Sequence, residues 1–134
     1  MADVVTSQTI FDGEREAVMQ FTNVSDGTGE TAVTKVNVSA LNPNFLGLAC
    51  NSVTIERIHV SINGMSVSLL WDATTDVPAF IAAPGVYTFK FDKVQLPNNA
   101  GTGKNGNILF TTIGASAGDT YTIRLEMVKH YVQV

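Results

Sequence analysis

The feature that constrains the fold most is a run of alternating apolar and polar residues centred on Asn63 and Gly64. The run reads VTIERIHVSINGMSVSLLW and covers residues 53–71. An Asn-Gly pair between two alternating segments predicts a β-hairpin, because a type I′ turn needs φ > 0 at both central residues. That turn sets a register in which the facing residues on one side are all apolar. The predicted pairs are Ile62 with Met65, Val60 with Val67, and Ile58 with Leu69.

The apolar phase of this run shifts near its start. Val53 and Ile55 share one phase, whereas Ile58 begins the other, and the charged pair Glu56-Arg57 lies at the shift. One extra residue in a strand produces such a shift, so we predict a bulge or bend at Glu56-Arg57.

Similar alternating segments, separated by turn residues, continue along the chain. They predict strands at about residues 3–11, 17–21, 33–41, 79–83, 87–91, 108–113 and 120–132. Residues 45–50 could hold one helical turn, and no other segment keeps a period of about 3.6 residues. Loops are expected at residues 25–30 and 97–106. About eight strands spaced in this way predict one all-β domain over residues 1–134, an antiparallel β-sandwich with a jelly-roll-like arrangement.

Charge and composition narrow the classes of partner. The net charge is −4, and the 8 lysines and arginines occur singly, so we expect no nucleic-acid partner. No segment is long and apolar enough to span a membrane, and the start of the chain lacks the pattern of a signal peptide. We therefore expect the protein to be made and used in the cytosol, or to leave by a route other than secretion. Charged residues make up 15%, against about a quarter in typical domains. This favours a surface partly covered by a partner, with a Ser/Thr/Asn-coated sandwich as the alternative.

The sequence gives little support for a cofactor or a metal. Residues 101–106, GTGKNG, match G-x-G-x-x-G, but they precede an expected strand and do not open a helix. The carboxylates within residues 26–30 and 72–76 lack the ligand spacing of a calcium loop. Cys50 is the single cysteine and follows an apolar run, so a buried structural thiol is expected. We expect no cofactor and no metal.

Catalytic groups are also sparse. His59 and His130 are the only histidines, and no serine lies in a nucleophile-elbow sequence. Trp71 continues the apolar face of the predicted hairpin, so it is expected in the core, with ligand stacking as the alternative. We expect a protein that is not an enzyme.

Three segments together resemble one family. They are SDGTGETAVTKVNVSAL at residues 25–41, LLWDATTDV at residues 69–77, and LPNNAGTGKNGNILFTTIGASAGDTYTI at residues 96–123. They are similar to small virion structural proteins of tailed bacteriophages, especially marine ones, and the likeness covers most of the chain. The resemblance implies a capsid decoration, or cement, protein on the virion surface, assembled in the host cytoplasm. The implied partners are the major capsid protein and further copies of the chain, with a trimer at three-fold positions as one arrangement.

Two other roles stay open at this stage. One is a structural part of the head–tail connector or of the tail. The other is a carbohydrate-binding module that would use Trp71 or Tyr87 together with the glycine-rich loops.

The ends of the chain are the candidate contact segments. Residues 1–11 alternate weakly, and beyond Met127 the apolar phase shifts. We expect residues 1–11 and 128–134 to be arms that touch the shell or a neighbouring copy, with ordinary edge strands as the alternative. The candidate interface residues are Val4, Val5, Thr6, Ile10, Val128, His130, Tyr131 and Val132.

Overall fold

The structure is a computed structural model that describes residues 4–91, 98, 100–103 and 105–131. Some of the expectations lie outside this range. They are Val132 as an interface candidate, residues 1–3 and 132–134 of the predicted arms, and residues 97, 99 and 104 of the predicted loop.

The described residues form nine strands and one short 3₁₀ helix. The strands are β1 (Val4–Asp12), β2 (Glu16–Asp26), β3 (Val33–Val36), β4 (Cys50–Asn63), β5 (Ser66–Trp71), β6 (Val77–Ala82), β7 (Gly85–Lys90), β8 (Ile108–Ile113) and β9 (Ala117–Tyr131), and the helix is Val38–Ala40.

The strands pack as two antiparallel sheets, which confirms the predicted all-β sandwich. One sheet has the order β1-β2-β9-β4-β7, and the other has the order β3-β8-β5-β6. The pairs β2–β9, β3–β8, β4–β7 and β5–β6 are nested like the two arms of one long hairpin. Rolling such a hairpin so that β4 meets β9 and β5 meets β8 produces a jelly roll. The ninth strand, β1, extends the first sheet by pairing with β2.

The predicted hairpin at residues 53–71 is wrong in its pairing. Strand β4 pairs with β7 and β9, whereas β5 pairs with β6 and β8 in the opposite sheet. Gly64 therefore turns a corner between the sheets, with φ +88. Asn63 does not adopt the positive φ of a type I′ turn, since Ala32 is the only described non-glycine residue that has one. A Cβ on Gly64 would lie 2.2 Å from Oδ1 of Asp119, so the corner needs glycine.

The predicted apolar face is nevertheless correct. All six residues of the expected pairs are buried, because β4 and β5 present them to the same core from opposite sheets. Alternation with a period of two shows which face of a strand is buried. The buried face is the same whether the two strands pair as a hairpin in one sheet or lie in opposite sheets across the core. The predicted bulge is confirmed as well, because the β4–β9 register shifts between Ile55 and Arg57.

Two further expectations about local structure are corrected. The strand expected over residues 33–41 ends at Val36, because the Asn37 side chain accepts a hydrogen bond from the Ser39 amide and caps the 3₁₀ helix. Residues 45–50 hold no helical turn. Instead, Asn44 organises a tight turn there, in which the Gly47 amide donates to its carbonyl at 2.9 Å.

A buried ion pair closes the loop at residues 25–30. Nζ of Lys35 lies 2.5 Å from one carboxylate oxygen of Glu30, and both side chains are buried. The other oxygen accepts from the Asn23 amide at 3.0 Å and from the Tyr121 hydroxyl at 2.6 Å. The Thr112 hydroxyl accepts from the Glu30 backbone amide at 2.7 Å. These contacts fasten the loop to both sheets, so the loop is part of the packed structure.

Candidate docking surfaces

The most exposed large apolar pair lies in the turn between Val36 and β4. Phe45 is 81% exposed and Leu46 is 67% exposed. The turn is held from within, because the Asn44 side chain accepts from the Leu46 amide at 2.9 Å and from the Leu48 amide at 3.0 Å. The Asn44 amide also donates to the Leu48 carbonyl at 3.0 Å. The turn therefore presents two apolar side chains to solvent on an ordered backbone.

This turn is tied to the end of β1 and to the β1–β2 turn, and β1 carries another exposed aromatic side chain there, Phe11. The Asn42 amide donates to Oδ2 of Asp12 at 2.8 Å, and the Phe45 amide donates to the Glu14 carboxylate at 3.4 Å. We call Phe11, Phe45 and Leu46 the apolar end. Its three members lie on two segments that hydrogen bonds hold together.

A buried lysine anchors both segments. Nζ of Lys129 donates to Oδ1 of Asp12 at 2.6 Å and to the carbonyls of Gly13 and Asn42, each at 2.8 Å. All three of its N–H groups thus have acceptors, and the Lys129 side chain is fully buried. Desolvation lowers the pKa of Lys129, but the hydrogen bond to Asp12, the Asp12 charge and the neighbouring Tyr131 outweigh it, so this pKa lies above its ordinary value. We call this arrangement the lysine clamp.

The second candidate surface is strand β1, where four of the predicted interface residues lie. Val4, Val5, Thr6 and Ile10 are all exposed. The strand is paired with β2 along one edge, and no described strand pairs with its other edge. Some β1 residues share the inner face of the sheet with core residues of β2, and they are exposed too. The opposite sheet has only four strands, so no strand covers β1. We call residues 4–11 the β1 edge.

The predicted residues near the chain end have mixed positions. Val128 is buried, so it is wrongly placed among the contact residues. The apolar residues change phase beyond Met127, but β9 stays in register with β2 up to Val128, and Lys129 is buried in the phase of Leu125 and Met127. His130 is exposed and contacts the Thr54 hydroxyl at 3.3 Å. The Tyr131 hydroxyl donates to the Glu14 carbonyl and lies at the lysine clamp. Val128 and Tyr131 are therefore poorly placed for direct contact with a partner, whereas His130 is exposed.

A polar cluster lies on the outer face of the five-stranded sheet. His59 contacts the Glu126 carboxylate through Nε2 and the Thr88 hydroxyl through Nδ1, the latter at 3.2 Å. The order acid, imidazole, hydroxyl resembles that of a catalytic triad, but catalysis also needs donors aimed at a developing oxyanion. Strand β4, which carries His59, is hydrogen-bonded on both sides, so its amides serve the sheet. We interpret the cluster as cross-strand contacts between β4, β7 and β9.

Two expectations about buried residues are confirmed. Trp71 is 1% exposed and belongs to the core, so it cannot stack on a ligand. Cys50 is also buried, and desolvation raises the pKa of its thiol, which disfavours the reactive thiolate. Tyr87, the other residue considered for stacking, donates its hydroxyl to the Ala83 carbonyl at 2.6 Å.

Asn98, Asn105 and Gly106, from the loop expected at residues 97–106, border an open cleft of about 540 Å³. Its lining consists of amide, hydroxyl and small side chains, among them Asn51, Ser52, Thr54 and Asn105. Among the described residues, no group of three or more His, Cys, Asp or Glu side chains could hold a metal ion. The described part of the chain also contains no helix of the length and apolarity needed to cross a bilayer.

Comparison with protein-family models gave no match, and comparison with curated proteins gave no match either.

Sequence reasoning missed the apolar end. In the sequence, Phe45 and Leu46 belong to an apolar run that leads to Cys50, and such a run does not indicate surface residues. The signal was present, because Asn42-Pro43-Asn44 and Gly47 enclose the pair with turn-forming residues. Large apolar residues inside such a turn lie outside any strand or helix, so no regular periodicity directs their side chains towards the core.

Proposed function

We propose that this chain is a bacteriophage capsid decoration protein, which binds the lattice of the major capsid protein and stabilises the head. The resemblance of residues 25–41, 69–77 and 96–123 to phage virion structural proteins supports this role. The jelly-roll sandwich is compatible with it, because jelly rolls are frequent in viral capsid domains. A fold alone does not define a function, so the proposal depends on a surface suited to docking.

The observation that carries the proposal is the apolar end. Phe45 and Leu46 are among the most exposed large apolar side chains of the described residues, yet Asn44 fixes the backbone beneath them. Because the backbone beneath this pair is already held in place, its docking into a pocket on a partner costs less conformational entropy than the docking of a flexible loop. Such anchors commonly supply much of the binding free energy of an interface. The apolar end therefore has the chemistry of a preorganised anchor for an apolar pocket on a protein shell.

Decoration stabilises a shell by mass action. A protein that binds the assembled shell and not its dissociated subunits shifts the equilibrium towards assembly. Each contact can be of ordinary size, about 800 Å² per partner, because many copies act on one particle. A net charge of −4 with few charged residues leaves shape and apolar contact as the main sources of affinity.

The proposal predicts that the apolar end controls binding to heads. Phe45→Ser combined with Leu46→Ser should weaken binding of the purified protein to heads assembled without it by at least about tenfold, or about 1.4 kcal/mol. Thermal unfolding should change little, because both side chains are already in solvent. Co-sedimentation with heads over a range of concentrations measures the affinity.

The matched control replaces two exposed apolar residues at the opposite sheet edges, Ile81→Ser with Val86→Ser. Val86 is 83% exposed, which is similar to Phe45. This control should bind heads like the unmodified protein. Equal binding by both double variants and the unmodified protein would refute the apolar end as the anchor.

A further inference from the structure

Three polar side chains meet in the core between the two sheets. Asn23 on β2, Glu30 in the loop at residues 25–30 and Lys35 on β3 are each at least nine-tenths buried. Nζ of Lys35 lies 2.5 Å from one oxygen of the Glu30 carboxylate. Nδ2 of Asn23 donates to the other oxygen at 3.0 Å. One carboxyl group therefore contacts both an amine and a carboxamide.

A bulge directs Lys35 into this site. The β3–β8 register shifts between Thr34 and Val36, so Lys35 is the extra residue, and a bulge changes the direction of the side chain it carries. Lys35 and Val36 are consecutive and both buried, which regular alternation along a strand does not allow. Strand β3 belongs to the four-stranded sheet and β2 to the five-stranded sheet. Lys35 and Asn23 thus approach the same carboxylate from opposite sheets.

Aromatic side chains enclose the site. The Tyr121 hydroxyl donates at 2.6 Å to the Glu30 oxygen that also accepts from Asn23. Phe110 packs edge-on against Tyr121 and Phe21, with ring centroids 5.9 and 5.1 Å apart, and all three rings are buried. A neutral amine and a protonated carboxyl need less hydration than an ion pair. Burial therefore lowers the cost of moving a proton from the amine to the carboxylate.

The two buried lysines differ in how well their N–H groups are satisfied. Nζ of Lys129 donates to three acceptors. Within the part of the chain that the structure describes, the Glu30 carboxylate is the one polar partner of Nζ of Lys35. A buried ammonium has three N–H groups that need acceptors, whereas a secondary amide nitrogen has one. The site therefore suits an amide nitrogen better than an ammonium.

We propose that Lys35 and Asn23 form an intramolecular isopeptide bond that joins the two sheets covalently, with Glu30 as the catalytic acid–base group. The ion pair of Glu30 and Lys35 is then the state of the chain before the bond forms. The bond closes residues 23–35 into a covalent ring that persists when the rest of the chain unfolds. This inference goes beyond the proposed function, because it concerns the covalent structure of the free chain.

The reaction needs only these three side chains. Glu30 takes one proton from the Lys35 ammonium, and the neutral amine attacks Cγ of Asn23. As the new C–N bond forms, the bond from Cγ to Nδ2 breaks and its electron pair leaves with Nδ2. Glu30 gives its proton to Nδ2, which departs as ammonia and takes the remaining extra proton of the attacking nitrogen. An ammonium and a carboxamide thus become a secondary amide and an ammonium ion, and the carboxylate is regenerated.

The existing contacts suit both proton transfers. One Glu30 oxygen lies against the amine that must lose a proton, and the other lies against the nitrogen that must gain one. Holding amine and carboxamide in one cavity makes the step intramolecular, which removes most of its entropic barrier. The exclusion of water also protects the reacting groups from hydrolysis.

The first test measures the mass of the unmodified protein without heads. Intact mass spectrometry under denaturing conditions should give a mass about 17 Da below that of the sequence, because one ammonia is lost. Proteolysis and fragmentation should then yield one branched peptide that joins Lys35 to Asn23. A chain with the full mass of its sequence, or a cross-link between other residues, would overturn the inference. No variant is needed for this result, so it does not depend on whether a variant folds.

Variants assign the roles of the three side chains. Lys35→Arg keeps a cation beside Glu30 but lacks the amine, so its mass should equal that of its sequence. Glu30→Gln should form the bond at least about a hundredfold more slowly, because an amide cannot carry the protons. Lys90→Arg changes an exposed lysine and should keep the full mass loss. A mass loss that persists in Lys35→Arg would also contradict the proposal.

The result is independent of the other proposals. Any change at Glu30 or Lys35 removes the bond as well as the ion pair, so single and double variants at these positions remain comparable in stability. Head binding is measured separately through the apolar end. Either proposal can therefore fail while the other stands.

Discussion

Replacement of Lys129 by methionine is expected to lower the free energy of unfolding by about 3–5 kcal/mol, the usual cost of leaving one partner of a buried ion pair alone. Methionine fills similar space but cannot donate to Oδ1 of Asp12 or to the carbonyls of Gly13 and Asn42. For a chain of this size, the melting temperature should fall by roughly 10–20 °C. Chemical denaturation monitored by circular dichroism measures the change.

The control for Lys129 is Lys90→Met, which removes an exposed lysine from β7. It should change stability by less than about 0.5 kcal/mol. The double variant Lys129→Met with Asp12→Asn should lose less stability than the sum of the two single losses, because a neutral amide then replaces the carboxylate that Lys129→Met would leave unpaired. Strictly additive costs would show that the clamp does not stabilise the protein through its charges.

The lysine clamp also predicts a dependence on pH. Because the pKa of Lys129 is raised in the folded protein, the folded protein binds the Lys129 proton more tightly than the unfolded chain does. Its stabilisation is complete below the usual pKa of 10.5 and is lost as the pH rises through the folded value. The stability difference between the unmodified protein and Lys129→Met should therefore narrow above about pH 10.5. The raised pKa values of Cys50 and Tyr87 also reduce stability as the pH rises. The Tyr87 contribution is common to both proteins, whereas the Lys129 charge lowers the pKa of Cys50 and is absent from Lys129→Met.

The second large effect is expected at the buried pair of Glu30 and Lys35. Glu30→Gln leaves the Lys35 ammonium buried without a carboxylate, and Lys35→Met leaves the Glu30 charge buried without its cation. Each change should cost about 3–5 kcal/mol. The two together should cost clearly less than the sum, because neutral groups of similar size then replace the whole pair. Urea unfolding of the two single variants and the double variant measures this coupling.

The surface pair of Arg57 and Glu126 provides the comparison for Glu30 and Lys35. Its nearest nitrogen and oxygen are 3.9 Å apart, and both side chains are partly in solvent. Arg57→Met should therefore change stability by no more than about 1 kcal/mol, and the change should depend on salt. A cost at Arg57 equal to that at Lys35 would mean that burial does not govern the strength of these pairs.

The sequence predicted which face of each strand is buried better than it predicted which strands pair. Alternation around Gly64 correctly identified the buried side chains, because period two reports which face is apolar. It could not report that β4 and β5 lie in opposite sheets, because a hairpin and a corner between sheets bury the same residues. That choice depends on long-range pairing with β7, β8 and β9, which no local pattern contains.

The same limit explains the errors at the surface. The sequence did not predict the burial of Lys129, since an isolated lysine is seldom buried. Its position depends on acceptors at Asp12, Gly13 and Asn42, which are distant along the chain and meet only in the fold. Val4, Val5, Thr6 and Ile10 were expected as contact residues because residues 1–11 alternate weakly, and the structure places them exposed on an edge strand, which was the alternative. Whether it is an interface stays a prediction.

The central claim is that this protein decorates a phage head, and its position and copy number in the purified particle test it most directly. Quantitative protein analysis together with imaging of the particle should give on the order of hundreds of copies, spread over the shell and contacting the major capsid protein. Roughly six or twelve copies at one vertex or along the tail, as in a closed ring, would contradict decoration and identify a connector or tail component.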